Sequence, residues 1–146
     1  MEQGTAIING HVAAIHCKNT WTETQCADGM TRFQEVIQYV QLKSEGDFIS
    51  LQTTLSAPQI DPQSGHVLQE TLRVFYLSVS PSLYDGLASS INRLVRPEGI
   101  GEMRVVFEKP FGRDLRSAVA LSAMLAEHLE EPEIFRVSES KMNCNY

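Results

Sequence analysis

Between residues 72 and 137 short apolar runs alternate with helical stripes, and this alternation restricts the fold of the chain more than any other feature. Leu72 to Val79 (LRVFYLSV) is rich in β-branched and aromatic residues and ends at Ser80-Pro81, which predicts a buried strand closed by a turn. Ser80 is placed to cap a following helix with Pro81 at its first position. Leu83, Leu87, Ile91 and Leu94 then share one face until Pro97 and Gly99 stop it. Met103 to Phe107 (MRVVF) predicts a second strand. The Glu108-Lys109-Pro110-Phe111-Gly112 stretch after it must be irregular, because Pro110 has no amide hydrogen and disfavours helix at Lys109. Asp114 is placed to cap another helix, with Ala118, Leu121, Leu125 and Leu129 as its stripe before Pro132, and Ile134 to Val137 begins a third strand. The order β-α-β-α-β with short connections predicts parallel strands, the building unit of an α/β doubly wound sheet.

The first half is less regular. Phe33, Val36, Ile37 and Val40 recur at helical spacing, as do Phe48, Leu51 and Leu55 after Gly46, so two short helices are expected. Tyr39 to Leu42 is equally compatible with a strand. Residues 57–65 read as a loop, and residues 1–30 show no periodicity that decides between structures.

With 146 residues the chain is one domain's worth, and 42% hydrophobic with 21% charged residues is an ordinary globular mix, which excludes disordered and fibrous classes. A net charge of -6 without a basic stripe repels a phosphate backbone, so no nucleic-acid partner is expected. No apolar run approaches the roughly 20 residues that span a bilayer, and no signal sequence is evident, which points to the cytoplasm without membrane association. Cys17, Cys26 and Cys144 are an odd number at unremarkable spacing and read as free thiols. His11, His16, Cys17 and Cys26 match no zinc spacing, so no metal is expected. His128, at the edge of a helical stripe, reads as a surface residue, and the seven arginines from Arg73 to Arg136 face nine acids in the same span, as on a mixed surface.

In doubly wound sheets ligands bind beyond the carboxyl ends of the strands, here Ser78 to Pro81, Glu108 to Pro110 and whatever follows Val137. Lys109 is the only lysine between Lys43 and Lys141 and lies at one of those ends. It has two readings: an ion pair with a neighbour such as Glu108, or an ammonium aimed at a phosphate, a carboxylate or a hydroxyl undergoing oxidation. Ser78 and Ser80 are either crevice lining or turn residues.

The residues Arg73-Val74-Phe75-Tyr76-Leu77-Ser78-Val79-Ser80-Pro81, followed by Glu108-Lys109-Pro110-Phe111-Gly112-Arg113-Asp114-Leu115, resemble the glucose-6-phosphate dehydrogenase family. The first piece is similar to its R-L-F-Y-L-A-x-P-P strand and the second to its E-K-P-F-G-x-D-L loop. Ile134 to Val137 resembles the strand leading into D-H-Y-L-G-K, and Phe33 to Leu55 is a weaker likeness. The resemblance implies a partial Rossmann-like doubly wound parallel sheet over residues 32–137, with 1–31 unassigned and 138–146 a divergent tail. It also implies NADP-dependent oxidation of glucose 6-phosphate to its lactone, the first step of the pentose phosphate pathway. Lys109 would contact substrate and coenzyme, with Ser80, Pro81 and Pro110 on the coenzyme side; no catalytic base carries over. The family's homo-oligomeric contacts, its G-A-S-G-D-L-A loop and its D-H-Y-L-G-K histidine have no counterpart here, since Gly4 and Gly10 stand alone in Met1 to Val12. The expectation is therefore an incomplete, inactive form of such a dehydrogenase. Two alternatives are a non-catalytic interaction fragment and a sugar oxidoreductase of the glucose-fructose oxidoreductase type.

Overall fold

The computed structural model describes residues 6, 8–10, 12, 17, 20–58, 60, 64–67 and 72–137, which fall into two units, Met1–Leu42 and Lys43–Tyr146. In the first, helix α1 (Glu23–Val36) begins inside the stretch whose periodicity decided nothing. Its start is set by a capping box in which the Thr22 hydroxyl accepts the Gln25 amide and the Gln25 side chain accepts the Thr22 amide. None of its residues is buried, so the predicted stripe at Phe33 and Val36 faces outward, and Tyr39 to Leu42 adopts neither helix nor strand. Cys17 and Cys26 form a disulfide across a Cα separation of 5.8 Å, which corrects the free-thiol reading. A nine-residue spacing looks unremarkable in sequence because the fold, not the spacing, brings the two thiols within reach.

The second unit opens with α2 (Glu45–Leu55), where the Asp47 carboxylate accepts the amides of Lys43 and Ser44, and Phe48, one residue on, is buried in the core. Strands β1 (Leu72–Leu77), β2 (Glu102–Phe107) and β3 (Ile134–Arg136) follow in the predicted places and pair in parallel in the order β1-β2-β3. The register sets Leu77 opposite Phe107 and Phe107 opposite Arg136, and the Val137 amide extends the ladder by donating to the Phe107 carbonyl. This parallel, sequential order is that of a partial Rossmann-like α/β fold.

Helices α3 (Tyr84–Leu94) and α4 (Leu115–Leu125) make the two crossovers, and both feed one core. Leu77, Met103, Val105, Phe107 and Ile134 from the sheet meet Tyr84, Ala88, Ile91 and Val95, with Leu125 and Leu129 beside them. Three expectations are corrected here. A 3-10 turn over Pro81–Leu83 delays α3 until Tyr84, so the buried face is Tyr84, Ala88, Ile91 and Val95, while Leu83 is exposed and Leu87 and Leu94 are half-buried. The Ser80 hydroxyl lies 2.9 Å from that of Ser82 and makes no capping bond. Nor is β1 buried on both faces: Leu72, Val74 and Tyr76 are each more than half exposed, because the described crossovers cover only the opposite face.

Two arginines tie the layers together. Arg73, buried on β1, donates to the Val95 carbonyl at 2.8 Å, to Gln52 at 2.5 Å and to Ser56 at 3.3 Å. Burial pushes its pKa down, opposed by the charge of Glu98. Arg96 makes a two-pronged pair with Glu133 at 2.6 and 3.1 Å, linking the end of α3 to the 3-10 turn that precedes β3.

Candidate functional site

The carboxyl ends of β1 and β2 meet at residue 108. Along β2 the side chains alternate, Phe107 pointing into the core, so the Glu108 carboxylate emerges on the open face of the sheet beside β1. There it accepts hydrogen bonds from the Tyr76 hydroxyl at 2.6 Å and the Ser78 hydroxyl at 3.3 Å. From beneath, the buried Tyr84 donates its hydroxyl to the Glu108 carbonyl at 2.9 Å, with its ring edge-on to Phe107. The bond to Glu108 raises the Tyr76 pKa, and burial first, then the charge of Glu108, raises that of Tyr84, so both hydroxyls stay protonated donors at neutral pH.

Past Glu108 the chain turns through a cis Lys109-Pro110 peptide. Phe111 packs edge-on to Phe107, and the Arg136 guanidinium lies 5.0 Å above its ring, so the strand-end loop is held by β3 as well. Gly112 has φ +87°, and a β-carbon on it would meet the Ala118 nitrogen at 2.6 Å; only glycine permits the loop to lie this close to α4. Asp114 then caps α4 as predicted: its carboxylate accepts the Ser117 amide at 2.8 Å while the Ser117 hydroxyl accepts the Asp114 amide. The Ser117 amide and hydroxyl bonds hold the Asp114 carboxyl below its ordinary pKa.

Between these loops lies an open cavity of about 420 Å³. Ser80, Pro81 and Ser82 wall one side, Pro110, Gly112 and Arg113 the other, and Ser117 and Leu121 of α4 close it. Ser80, Pro81 and Pro110, singled out from the sequence, are thus brought together. Lys109 is exposed on the adjoining loop and is not among the lining residues. Sequence reasoning missed Tyr84, Ser82 and Arg113. Arg113 was counted with a mixed surface, although it directly follows the glycine that brings its loop against α4, and Arg73 and Arg96 also leave that surface for internal bonds. His128 pairs with Asp85 at 2.9 Å, away from the cavity lining. His11, His16, Gly4 and the tail 138–146 lie outside the described residues. Among the described residues no three His, Cys, Asp or Glu side chains converge as a metal site would need, and no helix is long and apolar enough to cross a membrane.

Residues 5–139 match the family described as "Glucose-6-phosphate dehydrogenase, NAD binding domain". A human relative, the GDH/6PGL endoplasmic bifunctional protein, is 34% identical over 137 residues, 93% of this chain and 17% of its own length. Glucose-6-phosphate 1-dehydrogenase 6, cytoplasmic, of Arabidopsis thaliana is 32% identical over 115 residues, 76% of this chain and 22% of its own length. The chain therefore spans about a fifth of the curated relatives it matches. A solved glucose-6-phosphate dehydrogenase in complex with its substrate glucose-6-phosphate superposes with a TM-score of 0.75 at 24% identity, covering 91% of this chain and 26% of the other, which establishes the shared fold.

Proposed function

Since the chain belongs to the glucose-6-phosphate dehydrogenase family and carries its NAD-binding domain, we propose that it serves the NADP-dependent oxidation of glucose 6-phosphate to 6-phosphogluconolactone. The family is one of oxidoreductases, and its domain takes a nicotinamide dinucleotide. NADP in particular, glucose 6-phosphate as substrate and homo-oligomeric assembly are proposals for this chain. The observation that supports coenzyme binding is the cavity at the carboxyl ends of β1 and β2. Pro81, Pro110 and Leu121 offer apolar surface to a planar ring, and Ser80, Ser82 and Arg113 offer hydrogen-bond donors to its polar arms, so the residues present fit the nicotinamide end of such a coenzyme. Bound there, the coenzyme supplies a hydride acceptor. Lys109, on the adjoining loop, presents a compact cation to the sugar hydroxyl being oxidised or to the phosphate it carries. The base that takes the hydroxyl proton is assigned to no residue of this chain.

The test is Lys109→Ala in the longest polypeptide that carries this domain. If orientation is its role, turnover with glucose 6-phosphate and NADP falls by about a hundredfold or more. Unchanged turnover returns Lys109 to a structural ion pair. The 146 residues alone are expected to reduce no NADP above background, because hydride transfer also needs a base and a sugar-phosphate site; turnover by the purified chain would overturn this.

For the compartment, relatives named cytoplasmic match the expectation from composition, whereas the Cys17–Cys26 disulfide favours an oxidising lumen like that of the endoplasmic relative. Counting free thiols in protein trapped directly from its native cell separates the two: three free thiols mean a reducing compartment, one an oxidising one.

A further inference from the structure

We propose that Glu108 is the positioning residue for Lys109, fixing through three hydroxyl donors the backbone from which the lysine projects. This rests on the reading of Lys109 as a substrate-contacting residue. The donors approach from both faces of the sheet: Tyr76 and Ser78 reach the carboxylate from the exposed face of β1, and Tyr84 reaches the carbonyl from the core. Each carboxylate oxygen receives one hydroxyl, so the negative charge is spent on tethering the end of β2 to the end of β1. The ladder supports the same assignment. Its last pair is Leu77 with Phe107, so Ser78 and Glu108 come one step further on, and the side-chain bonds reinforce the two strands where the ladder ends. Without them the end of β2 at residue 108 would lose its side-chain tether to β1, and the direction of Lys109 would vary with it.

A merely structural role for Glu108 and a positioning role predict different measurements. In the chain as it stands, Glu108→Ala and Tyr76→Phe should lower the amide order parameters of Lys109, Phe111 and Gly112 from about 0.85 toward 0.6 or less, while those of Val105 and Val106 hold. Tyr76→Phe removes a single hydroxyl from an exposed side chain, so it keeps the proposal testable if Glu108→Ala fails to fold. In the complete dehydrogenase polypeptide the same variants should lose kcat by about tenfold or more with the coenzyme KM within about twofold, and Glu108→Gln, which keeps a side-chain carbonyl to accept from Tyr76, should stay within about threefold of the parent. Equal loosening at Val105 and Val106, an unchanged loop, or an unchanged kcat would overturn the proposal. A parent polypeptide that turns over no glucose 6-phosphate would instead overturn the functional reading, leaving the order parameters to decide whether Glu108 holds the loop.

Discussion

Gly112 and Gly86 show how differently one residue type is constrained at two positions. A methyl group on Gly112 would press on the backbone of Ala118, at 2.6 Å from its nitrogen and 2.8 Å from its Cα, in a left-handed conformation that alanine resists. Gly112→Ala should cost about 2 kcal/mol or more and lower the thermal midpoint, because neither the helix backbone nor φ can yield cheaply. Gly86 lies in α3 with nothing within 4 Å of where a methyl group would sit, so Gly86→Ala should instead stabilise by about 0.5–1 kcal/mol. A denaturation series on both variants checks the pair; effects of the same sign would mean the loop shifts to accommodate the methyl. At this scale the sequence was legible where a residue was unusual for its neighbourhood. Lys109 stood out as an isolated lysine at a strand end. Glu108 did not, because its acceptor role depends on Tyr76 and Ser78, about thirty residues away across the β1–β2 pairing. Arg73 was equally hidden: nothing local marks it as a buried donor to Val95.

At the scale of elements, one of the two caps read from the sequence is made: Ser80 makes no capping bond, whereas Asp114 does. Asp114 was placed as the cap of α4 from its position before an apolar stripe, and it makes that bond. The buried face of α3 was displaced because the 3-10 turn Pro81–Leu83 adds a tighter turn before the helix, which no periodicity of the apolar residues encodes. Asp114→Ala should lower the thermal midpoint measurably, since the Ser117 amide loses its acceptor at an exposed helix start. Acid should act on the same elements. Burial raises the Glu133 pKa, but the Arg96 hydrogen bond, the Glu130 amide and the Arg96 charge outweigh it and leave a net lowering; Asp114 is lowered by Ser117. A carboxyl whose folded pKa is depressed contributes stability that is complete above its unfolded value and is lost as pH falls through the folded one. Thermal midpoints should therefore hold at neutral pH and decline below the ordinary carboxylate range. Glu133→Gln should flatten that decline, and a variant that keeps the parent's full acid sensitivity would show that the Arg96 pair contributes none of it.

At the scale of the sheet, among the described residues β1 and β3 are the edge strands and one face is uncovered by the described crossovers. The six residues of β1 contain neither proline nor lysine, and Leu72, Val74 and Tyr76 all project from the open face. Such an edge invites pairing with other chains, so light scattering by the isolated chain should rise with its concentration. Val74→Lys should lower light scattering with little change in thermal midpoint; undiminished scattering would place the sticky surface elsewhere. The parallel order also fixes how the sheet responds to force. With β1 entered at one end of the sheet and β3 left at the other, tension between residues 72 and 136 slides neighbouring strands past one another, and the ladder bonds share that load together. The unit should be stiff when stretched along its strands and weak when either outer strand is peeled sideways.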